Sequence, residues 1–188
     1  MKFEEHYALV GKHAFLSASN YHWINYSLEK LVKTYTRSKA IAKGTELHSF
    51  AQRCIELGIK LPRSRKSLNH YVNDAIGYRM KAEQILFYSA NCFGTADSIS
   101  FRNNLLRIHD LKTGKTRSSM SQLEVYTSLF CLEYKYQPAK IDIELRIYQN
   151  DEVIVHEPNP LALRDIMDKI IIFDKKINEI NLVMEDAS

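Results

Sequence analysis

The chain has 188 residues and a net charge of +4 at pH 7, enough for one domain with a sizeable core. Hydrophobic residues make up 45% and charged residues 26%, which excludes a disordered chain, and no apolar run approaches the ~18 residues of a membrane helix. Three widely spaced cysteines, Cys54, Cys92 and Cys131, include no CxxC, which excludes a disulfide framework or zinc ribbon and points to a reducing compartment. Met1–Ser17 reads as a short lead-in without a signal-peptide apolar segment, so a cytoplasmic location is expected. Ser19 or Asn20 reads as the N-cap of a helix over about 20–36, with Trp23 as a core residue. A second helix is expected over about 38–57, ending at Gly58. Gly44 inside it suggests close approach by another backbone or a ligand, with His48 one turn further on the same face. Lys60–Lys66, KLPRSRK, reads as a solvated basic loop, or one that meets phosphate, and Pro62–Ser67 breaks the chain. A third helix spans about 69–81. Strands follow over 83–90, 93–101 and 105–112, with a turn at Asn103-Asn104, as an antiparallel meander. A helix over 118–136 carries a capping-box pattern at Ser121 and Glu124. Lys140–Tyr148 alternates, with Ile141, Ile143, Leu145 and Ile147 pointing in and Tyr148 out. It forms a hairpin with 152–156 through Asn150-Asp151. The last helix, about 160–183, is expected to bury Ile166, Ile170, Phe173, Ile177 and Ile180. The order αααβββαββα implies an α/β fold: a central mixed β-sheet of about five strands flanked by helices, in one domain over 1–188.

The chemistry concentrates in Leu105–Lys115, LLRIHDLKTGK. Side chains alternate along a strand, so Leu106, Ile108, Asp110 and Lys112 share a face. Burying unmatched charge is costly, so an apolar face that ends in a carboxylate and an ammonium calls for a metal or an anion. Asp97 in the preceding strand, about 5 Å away if directly opposite, would join Asp110 in holding Mg²⁺ or Mn²⁺ through oxygen, with the Leu111 carbonyl as a further hard ligand. Lys112 would orient or help deprotonate an attacking water and stabilise charge growing on phosphorus, which makes a phosphodiester the fitting substrate. Asp-x-Lys is a common tripeptide and such pairs are often merely solvated. Gly94 and Asp97 upstream, the apolar approach to Asp110, and Gln122 with Tyr126 one turn apart downstream set this one apart. Other chemistries fit less well. Gly114-Lys115-Thr116 lacks the glycine a P-loop needs at position 109, which is His109. His70, His109 and His156 have no zinc-ligand spacing, and no GxSxG is present.

Taken together, Gly44-Thr45-x-x-His48, Gly94-x-x-Asp97, Asp110-x-Lys112-Thr113-Gly114 and Gln122-x-x-x-Tyr126 resemble the RecB-like branch of the PD-(D/E)xK nuclease superfamily, in the order seen in its phage and bacterial exonucleases. HAFLSASNYHWINYS is similar to the S-x-S segment before the first helix of such proteins. The resemblance implies a restriction-endonuclease-like core in a single nuclease domain. It makes His48 a metal ligand or a residue over the site, Asp97 and Asp110 metal ligands and Lys112 the catalytic lysine. Gln122 and Tyr126 would position DNA or the lysine, and Glu83 would be a further acid. It departs from the family in carrying Asp110 where Glu is frequent. With three cysteines and none after Cys131, no iron–sulfur cluster is expected. The function implied is a Mg²⁺- or Mn²⁺-dependent deoxyribonuclease, an exonuclease of recombination, repair or phage DNA processing. It would act on single- or double-stranded DNA ends away from any membrane, in the host cytoplasm if phage-encoded. A homo-oligomer or a recombination partner protein is compatible with this. The alternatives are a structure-selective or restriction-like endonuclease, or a non-catalytic DNA-binding protein that keeps the fold.

Overall fold

The structure is a computed structural model that describes residues 7–9, 11 and 14–186. Part of the expected lead-in therefore lies outside the described residues. The chain forms two compact units, Met1–Lys43 and Gly44–Ser188.

In the first unit the expected helix over 20–36 is replaced by a 3₁₀ turn, Tyr21–Asn25, and a helix that begins later, at Leu28. Asn20 makes no capping hydrogen bond, and Tyr26 is extended. Ser27 is the actual cap, its hydroxyl accepting the Lys30 amide at 3.2 Å. From there α1 runs unbroken over Leu28–Glu56. The two helices expected at 20–36 and 38–57 are thus one, because neither glycine nor proline separates Thr36 from Lys39. The order among the described residues is accordingly ααβββαββα. Helix α1 does stop where expected. Gly58 takes a left-handed φ of +68°, its amide bonds to the Ile55 carbonyl and that of Ile59 to the Cys54 carbonyl, the paired bonds of a Schellman ending.

The second unit holds the end of α1, then α2 (Ser67–Gly77), β1 (Lys81–Ser89), β2 (Cys92–Arg102), β3 (Leu105–Leu111), α3 (Ser121–Tyr134), β4 (Asp142–Gln149), β5 (Glu152–His156) and α4 (Pro160–Asp186). The strands form one mixed sheet in the order β1-β2-β3-β4-β5. Only β3 and β4 are parallel, joined through α3; the other pairs are antiparallel. Both expected two-residue turns are present. Asn103-Asn104 and Asn150-Asp151 all take positive φ, from 49° to 62°, as tight hairpins between right-twisted strands require.

Helices cover both faces, which gives an α/β fold with a five-stranded mixed sheet flanked by helices. On one face Leu106, Ile108, Ile143, Leu145 and Ile147 pack with Leu123, Leu129 and Phe130 of α3 and Leu163 of α4. On the other, Leu111 and Tyr148 pack with Ala51, Cys54 and Ile55 of α1 and Tyr71, Val72 and Ala75 of α2. Each buried aliphatic side chain is worth about 1.5–3 kcal/mol. Tyr148, expected to point to solvent, is fully buried, because α2 covers the face that the alternation left outside. Two further expectations fail. The Ser121–Glu124 capping box does not form, since α3 is capped at Met120 without a side-chain bond, and Glu124 pairs with His156 Nε2 at 3.2 Å. The stripe on α4 runs past the core: Phe173 is 63% and Ile180 47% exposed.

Candidate metal centre

Strand register assembles the acids. The pairs Ala82↔Ser98 and Gln84↔Ala96 bracket Glu83 and Asp97. The pair Ser98↔His109 is the last before Asp97 and Asp110. Glu83, Asp97 and Asp110 therefore lie in one row across β1, β2 and β3. From α1, His48 reaches in with Nδ1 3.4 Å from Asp97 Oδ2. Ligand atoms of His48, Glu83 and Asp97 all lie within 4.8 Å of one another. The same Asp97 oxygen accepts the Leu111 amide at 2.9 Å, so Leu111 meets the cluster through its N–H.

Lys112 follows Leu111 as β3 ends. Its Nζ is 3.0 Å from both oxygens of Asp110 and donates to Oδ1. It donates also to Gln122 Oε1 at 2.7 Å, and Gln122 Nε2 donates to the Tyr126 hydroxyl at 2.9 Å. A one-turn spacing on α3 thus becomes a relay from the aromatic ring to the ammonium. Asp110 is 2% exposed, and its Oδ2 accepts no hydrogen bond.

Burial is the main force on these carboxyls. It raises Asp97 against the pull of His48 and the Leu111 amide. It pushes Asp110 up to about 6, with the Asp97 charge adding to it and Lys112 opposing. Burial, then the Asp97 charge, raises the Tyr71 phenol far above its usual value. Tyr71, read from the sequence only as an apolar helix position, is therefore a buried phenol within electrostatic reach of the acids.

The glycines of the motif blocks are explained by contact. A Cβ on Gly44 would lie 2.8 Å from Thr113 Oγ1, and one on Gly94 2.8 Å from the Tyr126 ring. Gly44 thus makes room for a side chain rather than the backbone or ligand expected. The blocks around Gly44, Gly94, Asp110 and Gln122 meet in one place, through Gly44–Thr113, His48–Asp97, Gly94–Tyr126 and Lys112–Gln122.

Two features carried no sharp signal in the sequence. Glu83 has φ +47° in the middle of β1, a left-handed backbone that costs a non-glycine residue about 1–2 kcal/mol. That twist marks Glu83 as a built part of the cluster. Gln149, 2% exposed at the end of β4, holds the segment between Lys112 and α3. Its amide donates to the Gly114 and Thr116 carbonyls at 2.6 and 2.7 Å and accepts the Ser118 amide at 3.0 Å.

A second charged cluster lies on the α2 side of β3 and β4. Arg146 contacts Asp74 and Glu144, each at 3.1 Å, and Arg107 contacts Glu144 at 3.0 Å. The Tyr148 hydroxyl donates to Asp74 at 2.7 Å, so the His109 nitrogen 3.2 Å away is the donor to Tyr148. His109 Nε2 is then a buried acceptor without a partner. Burial, with Arg146 and Arg107 beside it, pushes the His109 pKa down to about 3. Of the Lys60–Lys66 loop, Lys60, Arg63 and Ser64 line a cavity of about 450 Å³ that Asp74 also borders.

No protein-family model, no curated protein and no solved structure matches this chain. The case for a function therefore rests on the residues and their geometry.

Proposed function

We propose that this protein is a Mg²⁺- or Mn²⁺-dependent deoxyribonuclease with a restriction-endonuclease-like core, hydrolysing DNA phosphodiesters at the end of β3. The observation that carries the reading is carboxyl charge in excess of counter-charge. Among the described residues, Glu83, Asp97 and Asp110 stand in one row beside one ammonium and one imidazole, and the buried Asp110 Oδ2, 3.0 Å from Lys112 Nζ, accepts no hydrogen bond. Carboxylates backed by one imidazole fit a hard divalent cation. His48, Glu83, Asp97 and Asp110 would hold it, and the Leu111 carbonyl is a further candidate ligand. Bound there, such an ion would polarise a phosphoryl oxygen and lower the pKa of a water nucleophile.

The chain's own groups supply the rest. Lys112, held between Asp110 and Gln122, presents an ammonium to the attacking water and to the charge that grows on the phosphate. Gln122 and Tyr126 fix the reach of that ammonium. Tyr126, packed on Gly94, closes the site from the α3 side.

The test is cleavage of end-labelled linear DNA with Mg²⁺, Mn²⁺ or chelator, by wild type, Asp110→Asn and Lys112→Ala. Metal-dependent cleavage that both substitutions abolish supports the proposal; cutting at the wild-type rate by both variants overturns it. Covalently closed circular DNA separates an exonuclease, which leaves it intact, from an endonuclease.

A further inference from the structure

The charge surplus is confined to one part of the chain. Residues 1–43 carry seven Lys or Arg against three Asp or Glu, whereas residues 44–188 carry nineteen of each. The whole net charge of +4 thus belongs to the first unit.

That unit is also unusual in what it does with its aromatic rings. None of its described residues is buried. Phe15, Trp23, Tyr26 and Tyr35 instead line a groove of about 760 Å³, with Asn20 and Lys39 on its wall. This falls within the range of ligand sites, roughly 300–1,000 Å³. The rings are held rather than loose. The Trp23 indole N–H donates to the Ser17 carbonyl at 2.9 Å, and Phe15 meets Tyr35 edge-on with centroids 5.0 Å apart. Cations accompany them: Lys30 Nζ lies 4.6 Å from the Tyr26 ring centre, and Lys39 Nζ 5.5 Å from that of Tyr35.

Ring faces beside mobile ammonium groups, in a region of positive charge, match a polyanion that carries flat π-systems. Bases in a duplex stack on one another and cannot offer their faces to a protein ring, whereas unpaired bases can. We propose that this groove binds single-stranded nucleic acid, its rings stacking on unpaired bases while Lys30 and Lys39 leave the ring faces to meet phosphates. A membrane surface would want an apolar face with basic flanks, not a groove walled by Asn20 and the Ser17 and Ser19 hydroxyls. The proposal deepens the nuclease reading, on which it rests for its biological sense, by naming an unpaired strand as the form of substrate held. Binding itself requires no metal.

Trp23 is the only tryptophan, so its fluorescence reports on the groove directly. The experiment titrates the whole protein, in chelator and low salt, with a short oligothymidylate, a short oligouridylate, a blunt duplex and anionic vesicles. The expected result is saturable quenching of Trp23 by the single strands, weaker binding of the duplex and loss of affinity on adding salt. Tyr35→Ala and Lys39→Glu each weaken single-strand binding by about tenfold. Both positions are exposed, so neither substitution empties a core, and circular dichroism checks the helix. The proposal is overturned by absence of quenching, by equal binding of duplex and single strand, by wild-type affinity in both groove variants, or by a response to vesicles alone. Because chelator is present throughout, an inactive protein can pass this test and an active nuclease can fail it.

Discussion

Two charged clusters lie on the same sheet, and they solve the problem of buried charge in opposite ways. On the α2 side, Asp74 and Glu144 face Arg146 and Arg107, so each carboxylate has a guanidinium fork within hydrogen-bond reach. At the end of β3, Asp97 pairs with His48 and Asp110 with Lys112, with Glu83 close to His48 and Asp97. The first cluster is complete within the protein. The second sets three carboxyls beside one ammonium and one imidazole, and burial, before any charge effect, raises Asp97 and Asp110 above their ordinary values. Asp74 has an arginine beside it, whereas Asp110 has Lys112 and Asp97 the imidazole of His48; the proposed divalent cation would answer that difference.

Substitutions that exchange these characters probe the contrast most severely. The largest effect is expected at Asp110. Asp110→Asn should lower metal-dependent DNA cleavage by about 10³-fold or more, roughly 4 kcal/mol in the transition state, while the metal-free protein becomes no less stable. Single-turnover cleavage and urea unfolding in chelator read the two halves. In the complete cluster the pattern inverts. Arg146→Met leaves Asp74 without its guanidinium and Glu144 with Arg107 alone, and should destabilise the fold by about 3 kcal/mol, with a lower urea midpoint and no change in metal affinity.

Acid titration sharpens the contrast next. Asp110 rises from its ordinary 3.8 to about 6 in the folded chain, so between those values the folded state keeps a proton that the unfolded state has released. In chelator, this carboxyl therefore contributes most stability at about pH 4 and below, and that contribution falls as pH rises to about 6, by about 2–3 kcal/mol. His109 acts with the opposite sign. Its folded value of about 3, against 6.5, means that the unfolded state binds the extra proton, so its contribution is lost as pH falls below about 6. The two slopes oppose each other in wild type. Asp110→Asn should leave the His109 slope opposed by Asp97 but no longer by residue 110, so stability should fall more steeply on acidification than in wild type, and unfolding midpoints at a series of pH values in chelator show whether it does.

A smaller effect concerns the strained Glu83. Glu83→Gly should stabilise the metal-free fold by up to about 1 kcal/mol, since glycine adopts a positive φ without steric cost. It should also weaken Mn²⁺ binding by about tenfold through the lost ligand. Calorimetric Mn²⁺ titration beside thermal melting would refute the assigned role if affinity were unchanged. The smallest effect is expected at Gln149. Gln149→Ala frees the segment after Lys112 and should lower kcat by severalfold with Mn²⁺ affinity intact.

Much of this contrast was legible in the sequence, and what was not has a physical reason. The alternation of Leu105–Lys112 and the Asn103-Asn104 turn suffice to put Asp97 opposite Asp110, because a two-residue hairpin leaves no freedom of register. Gln122 and Tyr126 follow from helical spacing. Glu83 was visible as an acid, but its part in the cluster depends on a local backbone twist that no propensity encodes. Tyr71 and Tyr148 look like ordinary helix and strand positions. Only the packing of α2 on the sheet reveals one as buried against Tyr148 and the other as the partner of His109. The missed boundaries in α1 have a simpler cause. Capping at Ser27 and continuity through Arg37 turn on single hydrogen bonds, whereas hydrophobic periodicity reports only that a helix is near. The exposed end of α4 shows the same limit, since a helical stripe announces an apolar face but not whether anything covers it.

The turn at Asn103-Asn104 has one more consequence. Alternate residues of β3 belong to different worlds: Asp110 to the open cluster, His109 to the closed one. Which of the two stands beside Asp97 is a matter of phase, and phase is set where Arg102 pairs with Leu105 across those two asparagines. A single residue added there would shift β3 by one step against β2, presenting a neutral imidazole where a carboxylate belongs and driving the acid among tyrosines. The acids stand at one end of the hairpin, and their address is kept at the other.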